Sequence, residues 1–319
     1  MIATPTPEVS VVIPTVGRPS LTRAVDSVLG QVDVQVEVVV VMNGSGQLPL
    51  LPDDTRIRLM VNAPGTGANR ARQTGIEAAK YETVALLDDD DFWLTNKLSA
   101  QNRFRRELGL GVDDFYIIGA ALSDSEIASK KTVWPRDSPP RHIIDVQEYL
   151  FRRNSIISKR HQLQSSTLMF PKKMAEMVPF RGDVKMHQDW QWVLEAESIL
   201  KPRIGIVDDV LVIRDKSTVS GITVSTRWNQ SANWALANLD RARPSCGDFI
   251  LVVSLSMAIR SRSAKQVFRC LIAANGVRSS NIAVVHALLS IALFMLRSVE
   301  RRGRRHLRIC PVQREGDPI

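Results

Sequence analysis

The sequence predicts an α/β fold: a mostly parallel sheet flanked by helices, followed by a helical C-terminal extension. Three observations carry that expectation. Short apolar, β-branched runs alternate with helical stripes through about the first 120 residues. The runs stop at turn or proline signals, as strands of repeated strand-helix units do. From about Asn229 the pattern becomes mainly helical. In open sheets of this kind ligands bind beyond the carboxyl ends of the strands, so the residues just after each strand matter most.

Taken in order, "VSVVIP" (Val9 to Pro14) is a strand stopped by proline. "SLTRAVDSVLGQ" follows as a helix with Ser20 as N-cap, a stripe of Leu21, Val25, Val28 and Leu29, and Gly30 at its end. "VEVVVVM" (36–42) reads as a buried strand ending at the turn "NGSG", and "RIRLMV" (56–61) as another strand. "GANRARQTGIEAAK" presents Ala68, Ala71, Gly75, Ile76 and Ala79 on one helical face before the strand "TVALL" (83–87). After the strand "FYIIGAAL" (115–122), the proline-rich "VWPRDSPPRH" reads as a surface loop. Order resumes with "SSTLMF" (165–170) and the helix "HQDWQWVLEAESIL" (187–200). "RIGIVDDVLVI" (203–213) then reads as strand, turn and strand, with Asp208 and Asp209 in the turn. A boundary near residue 220 divides a first domain, 1–220, from a helical, basic region, 221–319.

At 319 residues and 44% apolar content, the chain suits one large domain or one domain with an appendage. Cys246, Cys270 and Cys310 all lie in the last quarter, without CxxC spacing, which argues against a disulfide framework or a zinc site. "MIATPTPEVSVVIP" has neither the basic nor the apolar region of a signal peptide, so the expectation is a cytoplasmic start. A net charge of +9 fits nucleic acid, phosphate-rich ligands or an anionic membrane face. Nucleic acid is disfavoured because the basic stretch lacks interleaved aromatics and a recognisable module.

Against that positive balance, "VALLDDDDFW" (Val84 to Trp93) drives an apolar strand into four consecutive aspartates. Four carboxylates this close repel one another and lose hydration wherever the fold covers them. Mg²⁺ or Mn²⁺ would resolve the repulsion, because these ions share hard oxygen ligands between one or two carboxylates and substrate phosphates. A solvated acidic turn capping the next helix is the other reading. "GTGANR" is no dinucleotide fingerprint, lacking the third glycine and following the third strand, and no GxxxxGK[ST] sequence occurs.

Together "VSVVIPTVGRP", "VVVVMNGS", "RARQTG", "DDDDFWLTNKL" and, about 100 residues later, "HQDW" make the chain resemble the inverting glycosyltransferases of family 2 across roughly residues 8–215. That resemblance implies a GT-A fold, the Rossmann-like fold of nucleotide-diphospho-sugar transferases. It implies a nucleotide-sugar site of Pro14, Thr15, Arg18, Asn43, Arg72, Asp88 and Asp89, with the metal on Asp90 and Asp88. The family's metal motif, Asp-x-Asp-Asp-x-Trp followed by Lys-Leu, puts Asp90 in direct metal contact, and in some members an acid at the Asp89 place meets the ribose. Asp91 caps the next helix or supports a metal ligand by a hydrogen bond. Asn43 stands where the family commonly has an acid on the nucleobase; its amide can still serve uracil or thymine, or it is only a turn residue. Arg72 reaches the nucleotide or its diphosphate, or makes a helix-surface ion pair.

Asp189 takes the place of the family's catalytic aspartate, which removes the acceptor's proton, while on spacing alone it reads as an N-cap. Trp190 and Trp192 line an acceptor platform or belong to the core; His187 lies near the acceptor or is a packed histidine. Trp93 packs the acidic loop in place or contacts the sugar. The implied setting is bacterial surface polysaccharide or exopolysaccharide synthesis, with a nucleotide-diphosphate sugar as donor and a glycan or lipid-linked acceptor. Two rival functions are a sugar-1-phosphate nucleotidyltransferase, for which "PTVGRPS" offers little of the required glycine-rich basic loop, and a catalytically silent assembly partner at a membrane surface.

The apolar run Ile282 to Leu296 is shorter than the roughly 20 residues a bilayer-spanning helix needs. Arg297, Arg301, Arg302, Arg304, Arg305 and Arg308 follow it directly. The segment therefore lies in a membrane interface with its arginines on anionic head groups, or packs on the catalytic domain ahead of a basic end. The first reading makes the protein cytoplasmic and peripheral on the inner face of the plasma membrane.

Overall fold

The computed structural model describes residues 5–44, 46–47, 50–124, 133–135, 137–156, 162–215 and 226–307, the side chains of 298–307 excepted. The chain forms two compact units, Met1–Phe151 with Ser158–Val224, and Arg152–Ile157 with Ser225–Ile319.

In the first unit β1 (Glu8–Thr15), α1 (Leu21–Leu29), β2 (Gln35–Met42), β3 (Ile57–Val61), α2 (Ala68–Ala78) and β4 (Thr83–Leu86) follow the predicted alternation. Then come β5 (Asp91–Trp93), α3 (Lys97–Glu107), β6 (Tyr116–Asp124), β7 (Val133–Trp134) and α4 (Val146–Phe151). A 3₁₀ turn (Ser165–Thr167), β8 (Met169–Pro171), α5 (Lys172–Met177), α6 (Gln188–Leu200) and β9 (Arg203–Arg214) complete it.

One sheet runs β3-β2-β1-β4-β8-β6-β9-β5, with β7 paired to β6. It is mixed. β1 pairs in parallel with β2 and β4, β2 with β3, and β6 with β9. β8 is antiparallel to both its neighbours, as are β7 to β6 and β5 to β9. Val38 to Val41 of β2 are all fully buried, which explains why the strand reads as an unbroken valine run: its two faces are both covered. One cover is α2, pressed so closely on the sheet that a Cβ at Gly75 would stand 2.4 Å from Val12 Cγ1 and 3.0 Å from Val41 Cγ2. Any larger residue there overpacks the contact.

Two local expectations are corrected. Ser20 has helical dihedrals and makes no capping bond; the helix start is held by the amide of Leu21, which donates to the carbonyl of Arg18 at 3.1 Å. Asp208 and Asp209 form no turn between two strands. Val207 lies opposite Ala120 and Val210 opposite Ala121, so the two exposed acids bulge out of a continuous β9 whose flanking Val207, Leu211 and Val212 stay buried.

The second unit is helical: α7 (Trp228–Asn238), α8 (Pro244–Phe249), a π-helical turn (Ile250–Ser254) leading into α9 (Leu255–Arg260), α10 (Ala264–Ala274) and α11 (Asn281–Leu307). Proline at the start of α8 is favourable because its missing N–H has no partner to lose there. Trp234, Phe249, Ile250 and Leu255 are in its core. Cys246 and Cys270 are buried and free. Cys310 and Arg308 lie outside the described residues. The apolar run and the arginines up to Arg305 form one helix, α11, and no helix among the described residues is long and apolar enough to cross a membrane.

Candidate active site

Parallel pairing of β1 with β4, Ser10 opposite Val84 and Val12 opposite Leu86, brings Thr15 and the aspartate tetrad out at one sheet edge. The tetrad divides there. Asp89, 2% exposed, accepts from Thr15 Oγ1 at 2.6 Å and from Arg18 Nη1 at 2.5 Å. Thr15 Oγ1 in turn accepts from the amide of Gly17 at 2.9 Å, closing the turn after β1. Asp91, also buried, accepts from Ser166 Oγ at 2.6 Å, and that oxygen accepts from the amide of Asp88 at 3.1 Å. Asp88 and Asp90 are the open pair, with side chains 35% and 27% exposed.

Asp91 does not cap the following helix. It begins β5, while α3 starts six residues later behind Asn96. The connection is clamped by Trp93 Nε1, which donates to the Ser166 carbonyl at 2.8 Å, and by the fully buried Lys97, whose Nζ sits 3.8 Å from the Trp93 ring centroid. Lys97 donates to Gln101 Oε1 at 2.7 Å, and Gln101 Nε2 reaches the carbonyls of Ile118 and Thr167. Trp93 thus packs the acidic loop.

Burial, reinforced by the charge of Asp88 and opposed by Arg18, pushes Asp90 up to about 6. Burial and the Asp88 charge push Asp91 up to about 8 against the Ser166 hydrogen bond. Carboxyls held above their ordinary range mark a place short of positive charge. Asp88 and Asp90, two hard oxygen donors at an open edge, suit a divalent cation. Among the described residues no group of three His, Cys, Asp or Glu gathers into a closed cage.

Arg72 projects from α2 and is 5% exposed, which removes the helix-surface reading. Its Nη2 donates to Asp88 Oδ1 at 2.6 Å and its Nη1 to Gln188 Oε1 at 3.1 Å and Asn69 Oδ1 at 3.2 Å. The same guanidinium therefore joins the tip after β4 to the first turn of α6. Asp189 lies in that turn, one residue past Gln188, and is not the N-cap: His187 takes that position in a left-handed conformation with φ 56°. Burial raises the Asp189 carboxyl above its ordinary range, with Arg72 opposing and Asp88 adding to the rise.

Asn43 Oδ1 accepts from Thr66 Oγ1 at 2.5 Å, and the Asn43 amide donates to the Thr15 carbonyl at 2.7 Å, which ties the β1 and β2 ends together. Pro14 is buried within β1 opposite Val41. His187 stacks on Trp190, 4.9 Å between ring centroids, and burial lowers its pKa to about 3, leaving it neutral. Trp192 is core: 1% exposed, stacked on Phe180, with Nε1 donating to the Val178 carbonyl at 2.8 Å. Ser166 and Gln188 are the participants that sequence reasoning did not assign to the site.

Residues 10–115 match the family described as "Glycosyl transferase family 2". A glycosyltransferase of Rickettsia bellii is 33% identical over 106 residues, 31% of this chain and 15% of the relative. WfgD of Escherichia coli, a UDP-Glc:alpha-D-GlcNAc-diphosphoundecaprenol beta-1,3-glucosyltransferase, is 33% identical over 98 residues, 29% of this chain and 39% of the relative. The succinoglycan biosynthesis protein ExoO of Rhizobium meliloti is 40% identical over 76 residues, 23% of this chain and 22% of the relative. The chain thus spans well under half the length of these curated relatives. A crystal structure of S. aureus TarS 1-349 in complex with UDP superposes with TM-score 0.51 at 14% identity, covering 84% of this chain and 88% of that one. A second TarS structure gives 0.54 at 14% identity, with 90% and 54% covered. At that identity the likeness shows the fold. The matched segment holds Thr15, Arg72 and the whole tetrad, so this part of the chain is similar to glycosyl transferase family 2, and the fold resembles the GT-A scaffold of TarS.

Proposed function

We propose that the protein transfers a sugar from a nucleotide-diphosphate sugar to a hydroxyl of a glycan or lipid-linked acceptor, with inversion and with Mg²⁺ or Mn²⁺ bound. The observation that supports this reading is the Arg72 guanidinium, which joins Asp88 of the acidic tip to Gln188, the residue before Asp189.

Asp90 and Asp88 would hold the metal, which supplies positive charge for the departing nucleoside diphosphate. Arg18 and Arg72 fix the orientation of the tip, while Pro14, Thr15 and Asp89 shape the turn over which the nucleotide lies. Asn43, at the end of β2, faces the nucleobase. Inversion requires the acceptor oxygen to attack the anomeric carbon opposite the leaving phosphate, and Asp189 takes the hydroxyl proton as that bond forms. Its raised pKa suits the task, because a carboxylate that holds a proton more tightly is the stronger base.

The reading divides the chain into a donor-binding part, residues 1–220, and a part for acceptor or membrane contact, 221–319. WfgD acts on a diphosphoundecaprenol-linked sugar and ExoO in succinoglycan biosynthesis, which supports polysaccharide assembly as the setting; the place proposed with it is the cytoplasmic face of the plasma membrane.

The test supplies UDP-, GDP- and dTDP-sugars with Mn²⁺ and a lipid-diphosphate sugar acceptor, following nucleoside diphosphate release and the anomeric configuration of the product. Transfer with inverted configuration is expected from the native protein and not from Asp90→Ala or Asp189→Asn. Equal turnover in all three proteins would remove the assigned roles, and release of inorganic diphosphate would identify a nucleotidyltransferase instead.

A further inference from the structure

Helix α11 is built inside out for a helix in water. Its buried stripe is Ala283, Ala287 and Phe294, whereas Val285, Leu288, Leu289, Leu293 and Leu296 are 41% to 63% exposed. No Asp, Glu, Lys or Arg occurs from Ile282 to Leu296. An ordinary surface helix turns its leucines to the core and its charges outward. Helix α10 also carries exposed apolar side chains, Phe268, 64% exposed, and Ile272, 56% exposed. An apolar cleft of about 420 Å³, lined by Leu271, Val284, Leu288 and Ile291 among others, lies in the same region. A contiguous apolar surface of this kind requires a cover.

Charge identifies the cover. At the start of α11 an open cavity of about 450 Å³ is lined by Arg152, Arg153 and Arg278 together with the first-turn residues Asn281 and Ile282. The buried Asp248 carboxylate beneath it is engaged by the Ser280 amide at 2.6 Å, the Ser280 hydroxyl at 2.9 Å and the Arg153 amide at 2.8 Å. Arg152, Arg153 and Arg278 thus line a cavity at the positive end of a long helix, and Arg152 Nη1 stands 3.9 Å from the buried Asp248 carboxylate. At the far end the exposed Arg297 is followed within the helix by Arg301, Arg302, Arg304 and Arg305. Because both ends are cationic, pairing two copies of α11 in either direction sets like charges together. A bilayer rich in anionic phospholipid supplies what the helix lacks, acyl chains for the leucines and phosphates for both ends.

We infer that α11, with Phe268 and Ile272 of α10, lies in the head-group region of an anionic membrane, the leucine face inserted and its cationic ends at the level of the lipid phosphates. This goes beyond the transfer reaction and does not depend on it.

The experiment is sedimentation of the full chain with vesicles of phosphatidylcholine alone and of phosphatidylcholine with an equal share of phosphatidylglycerol. At least tenfold tighter binding to the anionic vesicles is expected, weakening as salt rises. The Leu288→Glu/Leu289→Glu double variant and, independently, Phe268→Ser should each lower binding, the double variant at least tenfold, with unchanged circular dichroism and unchanged affinity for UDP with Mn²⁺ in vesicle-free solution. Equal binding to both vesicle types, or binding indifferent to both sets of substitutions, would overturn the inference. So would a dimer in light scattering that the double variant dissociates, since the face would then join two copies. Vesicle binding and nucleotide binding are read separately, so loss of one leaves the other informative.

Discussion

Arg72 donates to Asp88 at 2.6 Å from a side chain that is 7% exposed, so the acidic tip is held by a guanidinium rooted in the interior of the first unit. The planar fork of arginine reaches Asp88 and Gln188 at once; the point charge of a lysine does not. Arg72→Lys should therefore lower kcat/KM by about tenfold or more, the effect of a misplaced site. Steady-state kinetics on the variant, with folding checked by circular dichroism, gives the answer, and native kinetics would detach the bridge from catalysis.

Asp189→Asn removes the proposed base and should cost a factor of about 10² to 10⁴ in kcat. The pH profile of the native enzyme adds an independent reading. A base acts only when deprotonated, and burial holds Asp189 above the ordinary carboxylate value of about 4, so activity should fall on acidification through a pH above that value. An acid limb arising from Asp90 would shift with Mn²⁺ concentration; one from Asp189 would not.

Thr15→Val deletes the hydroxyl that donates to buried Asp89. Leaving a buried carboxylate short of a donor costs about 1 to 3 kcal/mol. Urea unfolding should show that loss, and an unchanged midpoint would mean that Arg18 alone satisfies Asp89.

Lys97 is fully buried, and burial lowers its pKa well below the ordinary value. The unfolded chain therefore binds a proton that the folded chain releases, and stability rises with pH between the lowered folded pKa and the unfolded value of about 10.4. Relative to Lys97→Met, the native protein should gain up to about 1.4 kcal/mol per pH unit in the middle of that window. Parallel stability curves for the two proteins would show that the ammonium keeps its charge in the core by way of Trp93 and Gln101.

The parallel part of the sheet was legible because strands covered on both faces, such as Val38 to Val41, leave unbroken apolar runs. β5 was not: three residues carry no period, and Asp91 belongs to that strand through pairing with β9 more than a hundred residues away. Asp208 and Asp209 resembled a turn because two adjacent acids interrupt an apolar run, yet a bulge accommodates them without ending the strand. Within the tetrad the four positions were legible as a charge problem. Their separation into open Asp88 and Asp90 and sealed Asp89 and Asp91 is decided by Thr15, Arg18 and Ser166, and the contact from Asp91 to Ser166 spans 75 residues with no local signal. The same holds for Gln188, which meets Arg72 across 116 residues.

The most direct test of the donor site is calorimetry of UDP binding with and without Mn²⁺, on the native protein and on Asp90→Ala. If Asp90 and Asp88 bind a cation that bridges to the diphosphate, Mn²⁺ should tighten UDP binding at least tenfold in the native protein and leave the variant unaffected. Identical UDP affinity with and without Mn²⁺ in the native protein would contradict the account.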